Sequence, residues 1–402
     1  MSTHPSPPAR PTHRAAPGPA GGAVPPGTVL HPFRGIRRSA SALSRDRTPA
    51  FYVLEQHRGD ALLQRGVVGA LDLAASHAAV LPHEHVLAAK VRAQHRITAL
   101  VGGNPEPVLL VCRDAPATDA VLRRATASAP DTVVTGADGI RHTLWRLHDP
   151  GQQRELAADL ATRSVLIADG HHRYAAAWEL RRRRGGRPGP WDRLPALVVD
   201  SARTPLGLRA IHRYLPDLTP REAAARAADV ADVAELDPAT RRPPRPGELI
   251  LVGDGRRYSL TRPRPEPLLR ALAGRPGAWR RLDAAVLQCL FIEGVWRPPA
   301  GARPVRHLHD GDGEPGSVAS GTLVLLAPPT EDDIWRLAAQ GVRVPEKTTS
   351  FLPKPPPRLL TYHHGHQSRG IRLGGGPRQD RVAPPALTAA KAAPAPPSTR
   401  PP

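Results

Sequence analysis

Residues 164–184 read SVLIADGHHRYAAAWELRRRR, and the reading of this stretch decides the fold. Ser164 to Ala168 is a short apolar run with β-branched members, the pattern of a buried strand. Tyr174, Ala175, Ala177, Trp178 and Leu180 then place apolar side chains at helical spacing. Strand therefore passes to helix through Asp169-Gly170-His171-His172-Arg173. A helix begins with backbone N–H groups that lack intrahelical acceptors and with the positive end of its macrodipole, so an anion is favoured there before any side chain acts. Gly170 permits close approach of backbone, His171 and His172 add imidazole donors, and Arg173 offers a planar fork to phosphate or carboxylate oxygens. Asp169, at the strand end, reads equally as a proton acceptor, a metal holder or a helix N-cap. The alternative for the two histidines is a solvent-facing turn, or one ring locked inside the fold. Arg181 to Arg184 followed by Gly185-Gly186 reads as a cationic helix C-terminus with a glycine stop.

Outward from this point the chain alternates short strands with helices. FYVLEQH and GVVGALDL flank a turn at Arg58-Gly59-Asp60; DTVVT and IRHTLWRL flank Gly136-Ala137-Asp138-Gly139; ELILVGDG and RRYSLTR make a third hairpin. PVLLVCR, LPALVVD, LGLRAIHRYL and TLVLLAP read as further strands. Helices are expected from Leu81 to Leu100, over 151–163, from Pro220, from Leu282 to Ile292 and at EDDIWRLAAQ. The expected fold class is mixed α/β (α+β), with hairpin-rich sheets around the strand-turn-helix element and no doubly wound parallel sheet. Residues 1–30 and 366–402 are rich in Pro, Ala, Gly and Ser and are expected to be disordered tails. The body is placed at 31–362, with a sub-lobe break near 216–220.

The formal net charge of +20 invites a nucleic-acid reading. Against it, the positive charge is arginine scattered along the chain, and aromatic residues make up only 4%, too few for repeated base-stacking platforms. No membrane span or secretory leader is legible, and a cytoplasmic protein is expected. Cys112 and Cys289 lie in apolar contexts without CxxC spacing and read as reduced core residues.

Other groups suited to chemistry are dispersed. In His83-Glu84-His85, Glu84 is a candidate general base, with the preference of a carboxylate for the positive end of a helix as its plainer explanation. The spacing does not match HExxH, and no metal site is assigned. Ile211-His212-Arg213-Tyr214 ends a strand where His212 and Arg213 can reach a cleft, although alternation sends one of them outward. Lys347 and Lys354 stand out because the chain has only four lysines, and Lys347 with Thr348 suits a transferring phosphoryl group. Arg34 in PFRG is a further candidate. No Walker, Rossmann, nucleophile-elbow or kinase signature is present.

PFRGIR, LPHEHVL, DGIRHTLWRL, LIADGHHRYAAA, PLGLRAIHRYL, LDAAVLQ and VPEKTTSFLPK occur in the order expected of the prokaryotic family known as domain of unknown function 1015, and the chain resembles that family over residues 32–362. Members carry an Ala-Pro-Pro-Tyr-Asp stretch after PFRG; here Arg37 and Arg38 lead through Ser39–Arg47 directly to Thr48, and the segment is missing. More distantly, Asp169 to Arg173 are similar to the DGHHR turn of the ParB and sulfiredoxin superfamily, which includes free-serine kinases. That likeness implies phosphate or nucleotide binding and points to serine or phosphoserine metabolism.

The expected function is a small-molecule phosphotransferase, with no cofactor identified and magnesium with ATP or ADP as the fitting pair. Glu84, Asp169 and His172 would be catalytic. Gly170, His171, Arg173, Lys347 and Thr348 would hold phosphate, and Arg34, His212 and Arg213 the substrate. The alternatives are a nucleotide-gated or DNA-associated protein without turnover, and a catalytically silent divergent member.

Overall fold

The computed structural model describes residues 27–39, 42–309 and 320–367. Its main sheet has nine strands. Eight run in the order Val80–Leu81, Val165–Asp169, Val108–Cys112, Arg193–Asp200, Ala61–Asp72, Phe51–Arg58, Arg141–Leu147 and Thr132–Thr135, and Leu30–His31 pairs with the far end of Ala61–Asp72. Two pairings are parallel, Val165–Asp169 with Val80–Leu81 and Arg193–Asp200 with Val108–Cys112; the others are antiparallel. The mixed, hairpin-rich architecture expected from the sequence is therefore present.

Central strands here have no polar face, because both faces are covered. Val108, Leu110, Val165, Ile167, Ala196 and Val198 enter one core, and the intervening Leu109, Val111, Leu166, Ala168, Leu197 and Val199 enter another. This is the period of two that a strand imposes, with each parity buried against a different layer. Onto the first face pack helices α2 (Pro116–Thr126), α3 (Pro150–Leu160) and α4 (His171–Arg183), which contribute Val121, Leu156 and Tyr174 to the shared core, while α1 (Ala88–Val101) lies against α4. The second face receives Phe351, Leu359, Leu360 and Tyr362, together with Ile334 and Ala338 from the helix Glu331–Ala339. The chain between Ser350 and Tyr362 is thus a strap laid across the main sheet.

A six-stranded antiparallel sheet, Asp232–Leu236, Arg256–Thr261, Leu249–Gly253, Thr322–Leu326, Ile211–Leu215 and Arg306–His309, carries its own core. The change of sheet comes at Ala210, between the strands Gly207–Arg209 and Ile211–Leu215, earlier than the break expected near 216–220. By contact the described residues form one unit.

Several boundaries differ from expectation for physical reasons. α1 begins at Ala88 and not at Leu81, because the main chain at 83–85 is used elsewhere: Val344 N–H donates to His83 C=O (2.7 Å) and His85 N–H to Val344 C=O (3.3 Å). The stretch from Leu282 divides into a short helix, Asp283–Val286, and a π-helix, Leu287–Trp296. Thr28 is buried, donating its hydroxyl to Arg163 C=O (2.8 Å), so residues 27–30 belong to the body. His366 is also buried, with its Nε2 2.9 Å from Asp46 C=O, and the body continues to 367. The remainder of both expected tails, 1–26 and 368–402, lies outside the described residues. The glycine stop after α4 forms as read, with Gly185 and Gly186 at φ 65° and 69°. Its arginines are engaged locally: Arg181 with Asp192 (3.0 Å), Arg183 with Glu179, and Arg184 over the ring of Trp191.

Candidate functional site

Strand Val165–Asp169 hands over to α4 at Gly170, which adopts φ 99° as the helix N-cap. A Cβ there would lie 2.9 Å from Val108 Cγ1 and 3.0 Å from Arg173 Nε, so both conformation and space require glycine. Asp169 is therefore not the cap. A register irregularity between Ile167 and Asp169 turns its carboxylate away from the ladder, where it meets Arg173 and, at 3.4 Å, Lys354 Nζ. The first intrahelical bond of α4 runs from Tyr174 N–H to Gly170 C=O, which leaves the N–H groups of His171, His172 and Arg173 ahead of it.

A cleft of about 200 Å³ opens at this helix start. It gathers Asp169 to Arg173 with Glu84 and Gln94 from one side and His309, Glu346, Lys347, Thr349 and Lys354 from the other. Four chain segments far apart in sequence are thus brought together, and Glu84, Asp169, Gly170, His171, His172, Arg173 and Lys347 of the expected site all line one cavity.

Their duties differ from those read in the sequence. His171 is buried, and its Nε2 accepts from the N–H groups of His83 and Glu84, both at 3.3 Å. His172 Nε2 accepts from Leu87 N–H (3.1 Å). Each ring therefore carries its proton on Nδ1, and the pair clamps the 83–87 segment against α4. Arg173 is not an open fork: its guanidinium is spent on Asp169, Glu106 (3.0 Å) and Pro107 C=O (2.6 Å). What the cleft retains for an anion is backbone N–H, the dipole of α4 and the lysines.

Glu84 Oε1 accepts from Thr349 N–H (3.2 Å) and from the Thr349 hydroxyl (3.0 Å). That hydroxyl then accepts from His83 Nε2 at 2.8 Å. Burial raises the Glu84 pKa above the usual carboxylate value, with the Thr349 hydrogen bonds and the Lys347 charge opposing it. Lys347 sits at φ 60°, a conformation that costs a non-glycine residue free energy. The loop is fixed by Arg213, which is buried and donates to Lys347 C=O (3.0 Å), and by Thr348, whose hydroxyl donates to Pro345 C=O (2.7 Å). Among the described residues Lys347 is in no ion pair, whereas Lys90 is paired with Glu346 and Lys354 with Asp169.

Four expected site residues do not line the cleft. Thr348 and Arg213 act behind it through the hydrogen bonds just given. His212 Nδ1 accepts from Leu326 N–H (3.4 Å) in the second sheet, and Arg34 is held by Gln367, with a 2.6 Å bond to its carbonyl. Gln94 and His309 were not singled out by sequence reasoning, which had no local signal for them, and Thr349 lay in the noted 344–349 stretch without a role of its own. Lys354, noticed there only for the rarity of lysine, joins the site through the strap.

The buried histidines set a pH dependence. His171 is pushed down to about 3, by burial first and then by Arg343 and His172. The unfolded imidazole titrates near 6.5, so its contribution to stability is complete above that pH and is lost as pH falls from about 6.5 toward 3. We expect the wild type to lose stability over this range by roughly 1.4 kcal/mol per pH unit more than His171→Gln. Urea midpoints measured between pH 7 and 4 read this directly, and parallel curves would refute it.

A family model described as "Protein of unknown function (DUF1015)" matches residues 37–285. No curated protein matches the chain. Among solved structures, the free serine kinase in complex with AMP is similar at a TM-score of 0.36 and 16% identity, covering 69% of this chain and 88% of that one. SbnI with a C-terminal truncation, from Staphylococcus aureus, gives 0.38 and 11%, covering 71% and 82%. A conserved hypothetical protein from Pyrococcus furiosus gives 0.33 and 14%, covering 69% and 91%.

Proposed function

The chain belongs to the DUF1015 family, and from that premise and the cleft at the start of α4 we propose that it binds a phosphate-bearing small molecule there and transfers a phosphoryl group to a hydroxyl acceptor. The observation that carries this reading is the convergence of Glu84 and Lys347 on the first turn of α4, whose N–H groups precede the first intrahelical bond. Backbone donors and a helix dipole favour an anion, and Lys347 supplies a compact charge held in place by Arg213. Glu84, made more basic by burial, takes the proton of the acceptor hydroxyl as its oxygen bonds to phosphorus and the bond to the leaving phosphate oxygen breaks. Asp169 holds Lys354 toward the same cavity. A small hydroxy amino acid such as serine is an acceptor of fitting size. Among the described residues no group of three or more His, Cys, Asp or Glu side chains is placed to hold a metal ion.

Calorimetric titration of wild type and Lys347→Ala with ATP, ADP and O-phosphoserine tests the binding half of this reading. Removing one charge-assisted contact is expected to weaken whichever ligand binds by about tenfold or more. Absent heats with all three, or identical affinities in both proteins, would end the proposal.

A further inference from the structure

Beside the α4 cleft lies a much larger one, of about 1090 Å³. A volume of 200 Å³ is below the roughly 300–1,000 Å³ of ordinary ligand pockets, so the α4 cleft has room for a phosphate group and a small acceptor but not for a nucleotide. The larger cleft has the missing room. Its walls include Leu62, Ile140 and Leu352, and the prolines at 353 and 355–357 form one side. Arg38, Arg58 and Lys354 bring cations to it, and the one carboxylate among its described lining residues, Asp138, is already engaged with Ile140 N–H (3.1 Å). Apolar walls with a cationic rim suit an organic anion with a broad, weakly polar body.

Two further observations narrow the ligand. Gln56 is buried in the wall of this cleft; its Nε2 donates to Lys354 C=O (3.1 Å), which fixes the amide orientation, and its Oε1 has no partner among the described residues. A buried acceptor without a donor is costly, and an N–H on the ligand would satisfy it. Lys354 belongs to both cavities, with its carbonyl bound by Gln56 on one side and its Nζ 3.4 Å from Asp169 on the other.

We propose that the wide cleft receives the nucleoside of a nucleoside di- or triphosphate, with its base toward Gln56 and its phosphates passing Lys354 to the start of α4. This rests on the phosphate-binding reading above and names its ligand class. The test compares ATP with inorganic tripolyphosphate on wild type, Leu62→Asp and Gly207→Leu. Leu62 is 38% exposed, and a Cβ on Gly207, which also lines the wide cleft, would meet only Leu352 O, at 3.9 Å, so both sites accept the change without strain. Wild type is expected to bind ATP at least about tenfold more tightly than tripolyphosphate. Both variants should lose about tenfold or more for ATP while staying within about twofold for tripolyphosphate, with unchanged melting curves. ATP binding no tighter than tripolyphosphate, or wild-type ATP affinity in both variants, overturns this proposal and leaves the phosphate site standing. Failure of both ligands to bind wild type overturns the phosphate site itself, and this inference with it.

Discussion

Glu84→Gln is expected to lower phosphoryl transfer from ATP to serine by about 10²-fold, while ATP affinity stays within about twofold. The asymmetry follows from geometry. Glu84 reaches the cleft through a carboxylate whose Oε1 is tied to Thr349 by two hydrogen bonds, and a glutamine oxygen can accept both. The substitution therefore keeps the wall of the cavity and removes only the capacity to take a proton. Because burial holds the Glu84 pKa above its ordinary value, turnover should also fall on the acid side as the carboxylate is neutralised. Steady-state kinetics across pH, with ATP binding measured on the same samples, checks both parts. Equal turnover in the two proteins would remove Glu84 from the reaction.

Arg173→Ala should be the most damaging single change at the site, costing about 3 kcal/mol of folding stability. The guanidinium is one-tenth exposed and joins Asp169, Glu106 and Pro107 C=O, so its loss strands a partly buried carboxylate and an unsatisfied carbonyl. It also frees Asp169 to draw Lys354 away from its present place. Denaturant unfolding measures the effect. A loss below about 1 kcal/mol would mean that the trio is dispensable and that Arg173 is available to a ligand after all.

Those two residues show what the sequence could and could not disclose. The strand-turn-helix at 164–184 was legible because apolar alternation, a glycine and helical spacing all act within twenty residues. The hairpins at Gly59, Gly139 and Gly255 were legible for the same reason. Strands of two or three residues, such as Val80–Leu81, Gly103–Asn104 and Ser350–Leu352, exist only through partners distant in sequence and have no period of their own. Arg173 read as a phosphate fork because Glu106, which occupies it, lies on another strand connection. The histidine pair looked like ligand donors because the N–H groups at 83, 84 and 87 that donate to their Nε2 atoms come from a segment that sequence spacing had assigned to a helix.

The 344–354 stretch has a bearing on how the protein comes into being. On the ribosome, the sheet and α4 emerge well before the loop that carries Lys347 and the strap that carries Lys354. Until Val344 meets Glu84, the nascent chain has a helix start but no opposing wall. The cleft is thereby completed at nearly the last moment of synthesis, and any product truncated before residue 344 lacks one of its walls.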